Sequence, residues 1–435
     1  MLSAECHLAA IDKAVAHLLS RRRPDGGWNE EMVWCPALTA CYVIAHHAVG
    51  RSLDAADKAA VLRHLDCWRI SDGSWGLHPA SPGYLYVTVL CHVAARLCGR
   101  DASHPSCRRA LEWIRERGGP TRTPTWGKAW LAIAGLYDWD GLQPLPPELF
   151  RLPSWLPIHP SRYYCHTRMI YLALSVVYAL RFRMPEDDVV RALREELYPE
   201  GFASVRFADH RGSVAESDLY VAPSVPLRAA YAALGAAQSR LPAATRRATV
   251  ERLLDEIRYE QRETSQQALS PVSGLLNVIA LHAADPSDPT IDEALRGMRV
   301  WRWQDEVEGL RIAGALSHTW DTSFAVQALC ATPGRERRTG ALEGAVRALL
   351  SYRVADDPDD HRKHWRSFTR GGWCFSNGRH RWPVSDCAAE ALDALYAAAD
   401  ATGGEVPAAV AAEAVEFILG RRDGSGGFSS YEERR

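Results

Sequence analysis

The feature that most constrains the fold is a repeated unit of a helical segment, a polar loop and a closing aromatic residue. It occurs at residues 14–28 (AVAHLLSRRRPDGGW), 61–76 (VLRHLDCWRISDGSWG) and 414–428 (AVEFILGRRDGSGGF). A glycine can end each helix, and the closing ring can pack against the next helix pair. The repeat therefore predicts packed helix pairs, with Trp28, Trp75 and Phe428 as scaffold residues.

Segments rich in Ala and Leu recur along the whole chain with apolar residues at helical spacing, and strand-like alternation is scarce. The pattern predicts an almost all-helical, all-α fold. The predicted helices span residues 4–20, 37–49, 56–68, 84–98, 106–116, 126–137, 164–182, 187–197, 226–238, 244–259, 272–284, 319–331, 340–352, 386–399 and 407–420.

Length and composition exclude several classes of protein. The 435 residues are enough for two domains with separate cores. A formal net charge of -2 argues against a nucleic-acid partner. The eleven cysteines have no zinc-like spacing, which predicts buried or free thiols in a reducing compartment, hence a cytoplasmic protein.

The chain has no sequence typical of a membrane-spanning segment. The longest apolar run, at 169–180, is shorter than the roughly 18 residues that a spanning helix needs, so we predict a buried core helix there. The N-terminus has no basic region before its apolar part, which favours a first helix over a signal peptide.

Residues 371–390 (GGWCFSNGRHRWPVSDCAAE) place aromatic residues directly before an acidic residue at the start of a predicted helix. Ser385 or Asp386 occupies the expected N-cap position, and capping alone would account for the aspartate. However, a carboxyl in apolar surroundings has a raised pKa and can stay protonated at neutral pH. Aromatic faces can also stabilise a cation. Asp386 is therefore a candidate Brønsted acid.

This segment resembles the catalytic segment of oxidosqualene (lanosterol-type) cyclases, whose acid lies in an Asp-Cys-Thr-Ala-Glu motif. Residues 386–390 read Asp-Cys-Ala-Ala-Glu, with alanine in place of threonine. The resemblance continues, in the family's order, through PDGGW, SDGSWGLH, PTWGKAWLAIAGLYDWDGL, HPSRYYCHTRMIYLALSVVYALR, TWDTSFAVQAL and DGSGGFSSYEERR. The repeated turns are similar to the QW repeats of this family, with arginine or another residue where glutamine is usual.

The resemblance implies two α/α barrels of the terpenoid cyclase and protein prenyltransferase type (a toroid), one inserted in the other. By that analogy residues 35–305 form the inserted barrel, and 1–34 plus 306–435 form the barrel that carries the acid. The second barrel is expected to be incomplete, because only one long helical segment and one repeat turn follow Glu390.

The resemblance further implies a triterpene cyclase that converts oxidosqualene or a squalene-type polyene, an isoprenoid lipid, by acid-initiated cyclisation. Asp386 would donate the proton, Cys387 would hydrogen-bond the acid, and His166 would orient or accept the final proton. The rings expected to face the cation are Tyr164, Trp320, Phe375, Tyr431 and Trp130. No metal or organic cofactor is implied, because protonation itself generates the cation. Each of these rings could equally be a core residue.

The resemblance leaves other functions open. Family members continue well beyond the position of Arg435 and there supply a second cysteine and further rings. A non-catalytic or half-enzyme subunit of a split cyclase, completed by a separate C-terminal cyclase-like chain, is therefore an alternative, and a gene remnant that does not fold stably is another. Peripheral membrane contact through an apolar patch also follows from the family, whose members reach a lipid substrate.

Two metal-binding interpretations compete with this one. Residues 356–360 (DDPDD) have the DDxxD spacing with which ionising terpene synthases bind magnesium, but Pro358 favours a solvated loop. Asp386, Cys387 and His380 resemble the zinc site of protein prenyltransferase β subunits, a further alternative for the chain. Adjacent residues on a helix point about 100° apart, so the spacing suits a single ion poorly.

Overall fold

The structure, a computed structural model, describes residues 4–334 and 338–433. The chain divides into two compact units. One contains the described residues of Met1–Met32, Glu260–Leu269 and Ala315–Arg435, and the other contains Val33–Tyr259 and Ser270–Gly314. The predicted ranges 1–34 and 306–435 include residues 1–3, 335–337 and 434–435, which lie outside the described residues. The assignment of two barrels to these ranges stays a prediction.

The described residues form sixteen α-helices and four short β-strands. The helices are α1 (Ala4–Ser20), α2 (Pro36–Ala48), α3 (Ala55–Cys67), α4 (Leu85–Leu97), α5 (Pro105–Glu116), α6 (Thr125–Ile133), α7 (Cys165–Ala179), α8 (Asp188–Leu197), α9 (Val225–Gln238), α10 (Ala243–Glu263), α11 (Pro271–Ala284), α12 (Thr290–Gly297), α13 (His318–Ala331), α14 (Thr339–Tyr352), α15 (Ser385–Thr402) and α16 (Ala408–Leu419). The strands are β1 (Glu31–Met32), β2 (Arg302–Asp305), β3 (Gly309–Ile312) and β4 (Ala315–Leu316). The prediction of a mainly helical protein is confirmed, and each predicted helix overlaps an observed one.

Side chains near the helix ends explain several of these bounds. The carboxylates of Asp54 and Asp187 accept from backbone N–H groups in the first turns of α3 and α8. Ser270 forms a capping box at the start of α11. Gly403 takes a left-handed conformation (φ 72°) directly after α15, where a glycine ends a helix at little cost.

In the first unit, the C-terminal helices pack around a single apolar core. Helix α13 packs against α14 and α15, and α15 also contacts α16. The core includes Trp28, Leu349, Trp373 and Phe417. Strands β1 and β4 pair antiparallel, with Glu31 opposite Leu316.

In the second unit, the central helices are buried on most sides. Helix α2 packs against α4 and α11, and α7 packs against α11. Strands β2 and β3 form an antiparallel pair that contacts α3. The apolar run at 169–180 lies in α7 and is largely buried, as predicted for a core helix. Among the described residues, we find no helix with the length and apolarity needed to cross a bilayer.

The first repeat forms a tight turn at residues 23–28, called here the Trp28 turn. The N–H of Gly26 donates to the carbonyl of Arg23 (3.0 Å), and the N–H of Arg23 donates to the carbonyl of Gly27 (2.9 Å). Gly26 has φ 97°, which a residue with a side chain rarely adopts. The turn's backbone hydrogen bonds are therefore internal to a short stretch of chain.

Helices α13 and α14 cover the Trp28 turn. The backbone N–H of Trp28 donates to the Thr322 hydroxyl of α13 (2.9 Å), and its indole N–H donates to the Leu18 carbonyl (2.7 Å). A Cβ atom on Gly26 would lie 2.5 Å from the carbonyl oxygen of Gly344 in α14. Trp28 is only 2% exposed, as expected of a scaffold residue.

The second repeat, the Trp75 turn (70–75), has the same backbone and an equivalent cover. Gly73 donates to Ile70 (3.0 Å), and Ile70 to Ser74 (2.9 Å). The N–H of Trp75 donates to the Thr88 hydroxyl of α4 (3.1 Å), and its indole N–H donates to the Leu65 carbonyl (2.7 Å). Trp75 is 1% exposed, so the prediction of a scaffold role holds here too.

The third repeat, the Phe428 turn (423–428), keeps the backbone but lacks the cover. Gly426 donates to the carbonyl of Asp423 (3.0 Å), and Asp423 donates to the carbonyl of Gly427 (2.8 Å). A Cβ atom on Gly426 would meet nothing within 4 Å among the described residues. Phe428 is 51% exposed, so the prediction that its ring is buried scaffold is wrong for the described residues.

Candidate active site

The candidate acid lies at the N-terminal end of α15, but it is not the N-cap residue. Val384 precedes the helix and has no side-chain cap, so the predicted capping role of Ser385 or Asp386 is wrong. The Ser385 N–H instead donates to the Ser430 carbonyl (2.8 Å), and the Ser385 hydroxyl donates to the Ser429 carbonyl (3.0 Å). A backbone segment distant in sequence therefore satisfies this helix end.

Asp386 and Cys387 form a contacting acid and thiol pair. The Asp386 carboxylate accepts a hydrogen bond from the Cys387 backbone N–H (2.8 Å). Burial raises the pKa of the Cys387 thiol, and the charge of Asp386 and a hydrogen bond to it raise that pKa further. Asp386 itself is exposed, so the described residues do not provide the apolar enclosure expected around it. Cys387 is thus a thiol that stays protonated and can donate.

One turn along α15, Glu390 is bound by a neighbouring helix. The amide nitrogen Nε2 of Gln327 in α13 donates to its carboxylate (2.7 Å). This bond links α13 and α15. Trp320 lies near the N-terminal end of α13, and Asp386 lies near the N-terminal end of α15.

Three of the predicted rings form a continuous row in the first unit. The ring centroids of Trp320 and Phe375 are 5.5 Å apart, and those of Phe375 and Tyr431 are 6.3 Å apart. All three rings pack against the apolar core that contains Cys387. The row ends at Tyr431, which follows the two serines whose carbonyls accept from Ser385. Sequence positions far apart thus supply one aromatic wall beside the start of α15.

The position of Tyr431 depends on a buried arginine that sequence inspection did not single out. Arg421 Nε donates to the Tyr431 carbonyl (3.0 Å), and its guanidinium carbon lies 4.3 Å and 4.7 Å from the ring centroids of Phe417 and Phe368. The Arg421 carbonyl accepts from the Ser429 N–H (2.8 Å). The available signal was the pair of arginines, 421 and 422, that precedes the third repeat turn.

The remaining predicted residues belong to the second unit. The Tyr164 ring stacks on the His166 ring at 5.2 Å with an interplanar angle of 14°, and the tyrosine is exposed. The Sγ of Cys165 lies 3.4 Å from His166 Nδ1. Trp130 is fully buried in α6 and packs edge-on against Trp126 at 5.8 Å. Trp130 is therefore a core residue of this unit.

The two metal-binding interpretations gain no geometric support. Asp357, in the DDPDD segment, accepts from the backbone N–H groups of Thr369 and Arg370, and the segment is a loop as predicted. The ring nitrogen Nδ1 of His380 accepts from the Trp382 N–H (3.1 Å). Among the described residues, no three histidine, cysteine, aspartate or glutamate side chains form a group that could hold a metal ion.

Comparison with known proteins supplies the family. The model of the squalene-hopene cyclase N-terminal domain matches residues 11–307, and that of the squalene-hopene cyclase C-terminal domain matches residues 316–435. The chain belongs to the squalene-hopene cyclase family. The resemblance to oxidosqualene cyclases predicted from the sequence is thereby confirmed.

Several curated relatives of this family member are triterpene synthases. It is 33% identical to human lanosterol synthase over 418 residues, which cover 94% of this chain and 57% of the relative. It is 30% identical to cycloartenol synthase of Dictyostelium discoideum over 429 residues (98% and 61%) and 32% identical to protostadienol synthase A of Aspergillus fumigatus over 444 residues (99% and 60%). The chain thus spans about three fifths of the length of these relatives.

Proposed function

We propose that the protein acts as a triterpene cyclase that starts cyclisation by protonating an isoprenoid polyene, with Asp386 as the proton donor. The observation that carries this proposal is the contact between Asp386 and the buried Cys387 thiol beside the row of Trp320, Phe375 and Tyr431. The relatives named as lanosterol, cycloartenol and protostadienol synthases support the same reaction class.

Cys387 has a defined role in this proposal. Because its pKa is raised, the thiol keeps its proton and donates a hydrogen bond to the Asp386 carboxylate. This hydrogen bond holds the Asp386 carboxyl group in one orientation at the start of α15. The proton moves from the Asp386 carboxyl to an epoxide oxygen or an alkene carbon of the substrate.

The aromatic row accounts for the next step. Opening of the epoxide, or protonation of the alkene, leaves a carbocation that the neighbouring double bonds attack in turn. Faces of Trp320, Phe375 and Tyr431 would stabilise the migrating charge without a lone pair that traps it. From the family resemblance we further propose that Tyr164 stabilises the cation and that His166 orients or accepts the final proton. No metal or organic cofactor is needed for these steps.

We also propose that residues 35–305 form an inserted α/α barrel of the terpenoid cyclase type, and that residues 1–34 plus 306–435 form a second, incomplete barrel of this type. A peripheral membrane contact would deliver the isoprenoid substrate. It is supported by exposed apolar side chains that precede and begin α9, at Leu219, Tyr220, Val221 and Val225.

A second candidate function is a half-enzyme that a C-terminal cyclase-like partner chain completes. The uncovered Phe428 turn favours it, because the Trp28 turn lies against α13 and α14 and the Trp75 turn lies against α4 and α5. A partner that supplied an equivalent helix pair would bury Phe428 and add walls around Asp386.

The test is to purify the chain, determine its mass in solution, and incubate it with oxidosqualene and with squalene. We expect a cyclic product whose formation falls by about 10² to 10⁴ in Asp386→Asn, since general acid catalysis is typically worth that much. Asp393→Asn, an exposed aspartate on the same helix, is the matched control and should keep wild-type activity.

The result also separates the two candidates. Product from a monomer of this chain would reject the half-enzyme. Absence of product, with activity restored by a cyclase C-terminal chain, would reject the self-sufficient enzyme. Equal activity of Asp386→Asn and the wild type would reject Asp386 as the acid.

A further inference from the structure

A groove of about 660 Å³ in the second unit takes no part in the proposed cyclisation. Helix α9 forms one of its walls, and residues 140–144, Tyr178, Arg181 and Arg211 contribute to the others. The α9 residues that line it recur at helical spacing: Arg228, Tyr231, Ala232, Gly235, Ala236 and Gln238. None of the α9 residues is buried. The inner face of this apolar helix therefore borders open space instead of a packed core.

The charges that line the groove are unbalanced. Three arginines and one aspartate contribute to its wall, and the carboxylate of Asp140 is paired with Arg181 (3.0 Å). Arg211 Nε donates to the backbone carbonyl of Asp140 (2.6 Å), which carries no net charge. The Arg228 side chain has no hydrogen-bond or ion-pair partner among the residues that the structure describes. The guanidinium groups of Arg211 and Arg228 thus have no carboxylate partner among the described residues.

The other lining groups combine apolar and neutral polar chemistry. Leu142, Pro144 and the alanines of α9 provide hydrocarbon surface. Gln238 Nε2 donates to the Tyr178 hydroxyl (3.0 Å), while the Gln238 Oε1 atom is buried and has no partner.

We propose that this groove binds an anionic amphiphile, a molecule with a phosphate head group on a hydrocarbon chain. Guanidinium groups match phosphate oxygens in geometry and charge, and Arg211 and Arg228 are free to bind them with their terminal nitrogens. The hydrocarbon chain would cover the apolar wall of α9 and remove it from water. This ligand is distinct from the polyene substrate, so the inference does not depend on the cyclase reaction.

The test compares three probes that separate the head group from the chain. Binding of octyl phosphate, octyl glucoside and inorganic phosphate to the purified protein is measured by isothermal titration calorimetry, below the micelle concentrations. We expect octyl phosphate to bind at least about tenfold more tightly than either other probe, because only it combines charge with hydrocarbon. If octyl glucoside binds as tightly as octyl phosphate, the phosphate group is not recognised and the proposal is wrong. If inorganic phosphate binds as tightly as octyl phosphate, the hydrocarbon chain is not recognised and the ligand is a free phosphate instead of an amphiphile.

Variants then assign the site. Arg228→Gln should weaken octyl phosphate binding about fivefold or more through loss of a charge-assisted hydrogen bond, and Arg228→Lys should retain most of it. Arg108→Gln is the control, since Arg108 is exposed on α5 and outside the groove. Circular dichroism checks that each variant folds. If the double variant R211Q/R228Q is folded and binds octyl phosphate as the wild type does, the proposal is wrong.

Discussion

The Trp28 turn and the Phe428 turn share a backbone and differ in what surrounds it. Both have a glycine at positive φ, 97° and 88°, and the same pair of backbone hydrogen bonds. Trp28 is 2% exposed beneath α13 and α14, whereas Phe428 is 51% exposed. The turn is therefore a local structure, while burial of its ring is supplied by the helix pair that covers it.

Removing the two rings should give the largest difference. Trp28→Ala should lower the free energy of unfolding by about 3–5 kcal/mol, as is usual for a buried tryptophan. Phe428→Ala should cost under about 1 kcal/mol, because its ring is half in water. Urea unfolding followed by circular dichroism measures both. Similar losses would mean that the Phe428 ring is buried in solution.

The glycines provide a second test of the cover. Gly26→Ala should cost about 2–4 kcal/mol, because its Cβ would strain the left-handed backbone and also collide with Gly344. Gly426→Ala should cost only the backbone strain, about 1 kcal/mol. The midpoint of urea unfolding is measured for each variant. Equal shifts of the two midpoints from the wild-type value would contradict the difference in packing between the Trp28 turn and the Phe428 turn.

The covering helix contributes a hydrogen bond that can be removed by itself. Thr322→Val keeps the side-chain shape but leaves the buried N–H of Trp28 without its acceptor, at a cost of about 1–3 kcal/mol. Ser425→Ala in the Phe428 turn should cost less than about 0.5 kcal/mol, since that position is exposed. Hydrogen exchange of the Trp28 amide offers an independent measurement, and unchanged protection in T322V would refute the role of Thr322.

The smallest expected effect is on the pH dependence of stability. Burial opposes ionisation of Asp25, but hydrogen bonds from Tyr352 and the Gly27 N–H outweigh it and lower the pKa of this carboxyl. A lowered folded-state pKa stabilises the fold above the unfolded value of about 3.9, and this contribution is lost as the pH falls below it. Asp25→Asn should therefore flatten the decline of stability in acid. An unchanged acid profile would show that Asp25 is not stabilised in the folded state.

Helix positions could be predicted from the sequence because apolar periodicity is a local property. Fifteen helices follow from it, and α12 was missed since its eight residues offer few periods to detect. The N-terminal end of α15 could not be predicted in the same way. Its cap comes from the Ser430 carbonyl, which no nearby residue indicates.

The candidate site shows the same limit. The family resemblance suggested Asp386, Cys387 and the three rings as candidates, and the structure places the rings in one row. The exposure of Asp386 and the contact of Arg421 with Tyr431 depend on segments brought together only in the folded unit. Periodicity and motif spacing do not contain that information.

Because the repeat turns form their backbone hydrogen bonds internally, they indicate where the chain could be cut or extended without loss of a turn. Each turn closes its own bonds within five residues, 23–27 in the first repeat. A cut, an insertion or a circular permutation placed just after the closing aromatic residue would break none of those bonds. An insertion at the exposed Phe428 turn would therefore preserve the turn, whereas an insertion after Trp28 or Trp75 would also displace the helices that bury those rings.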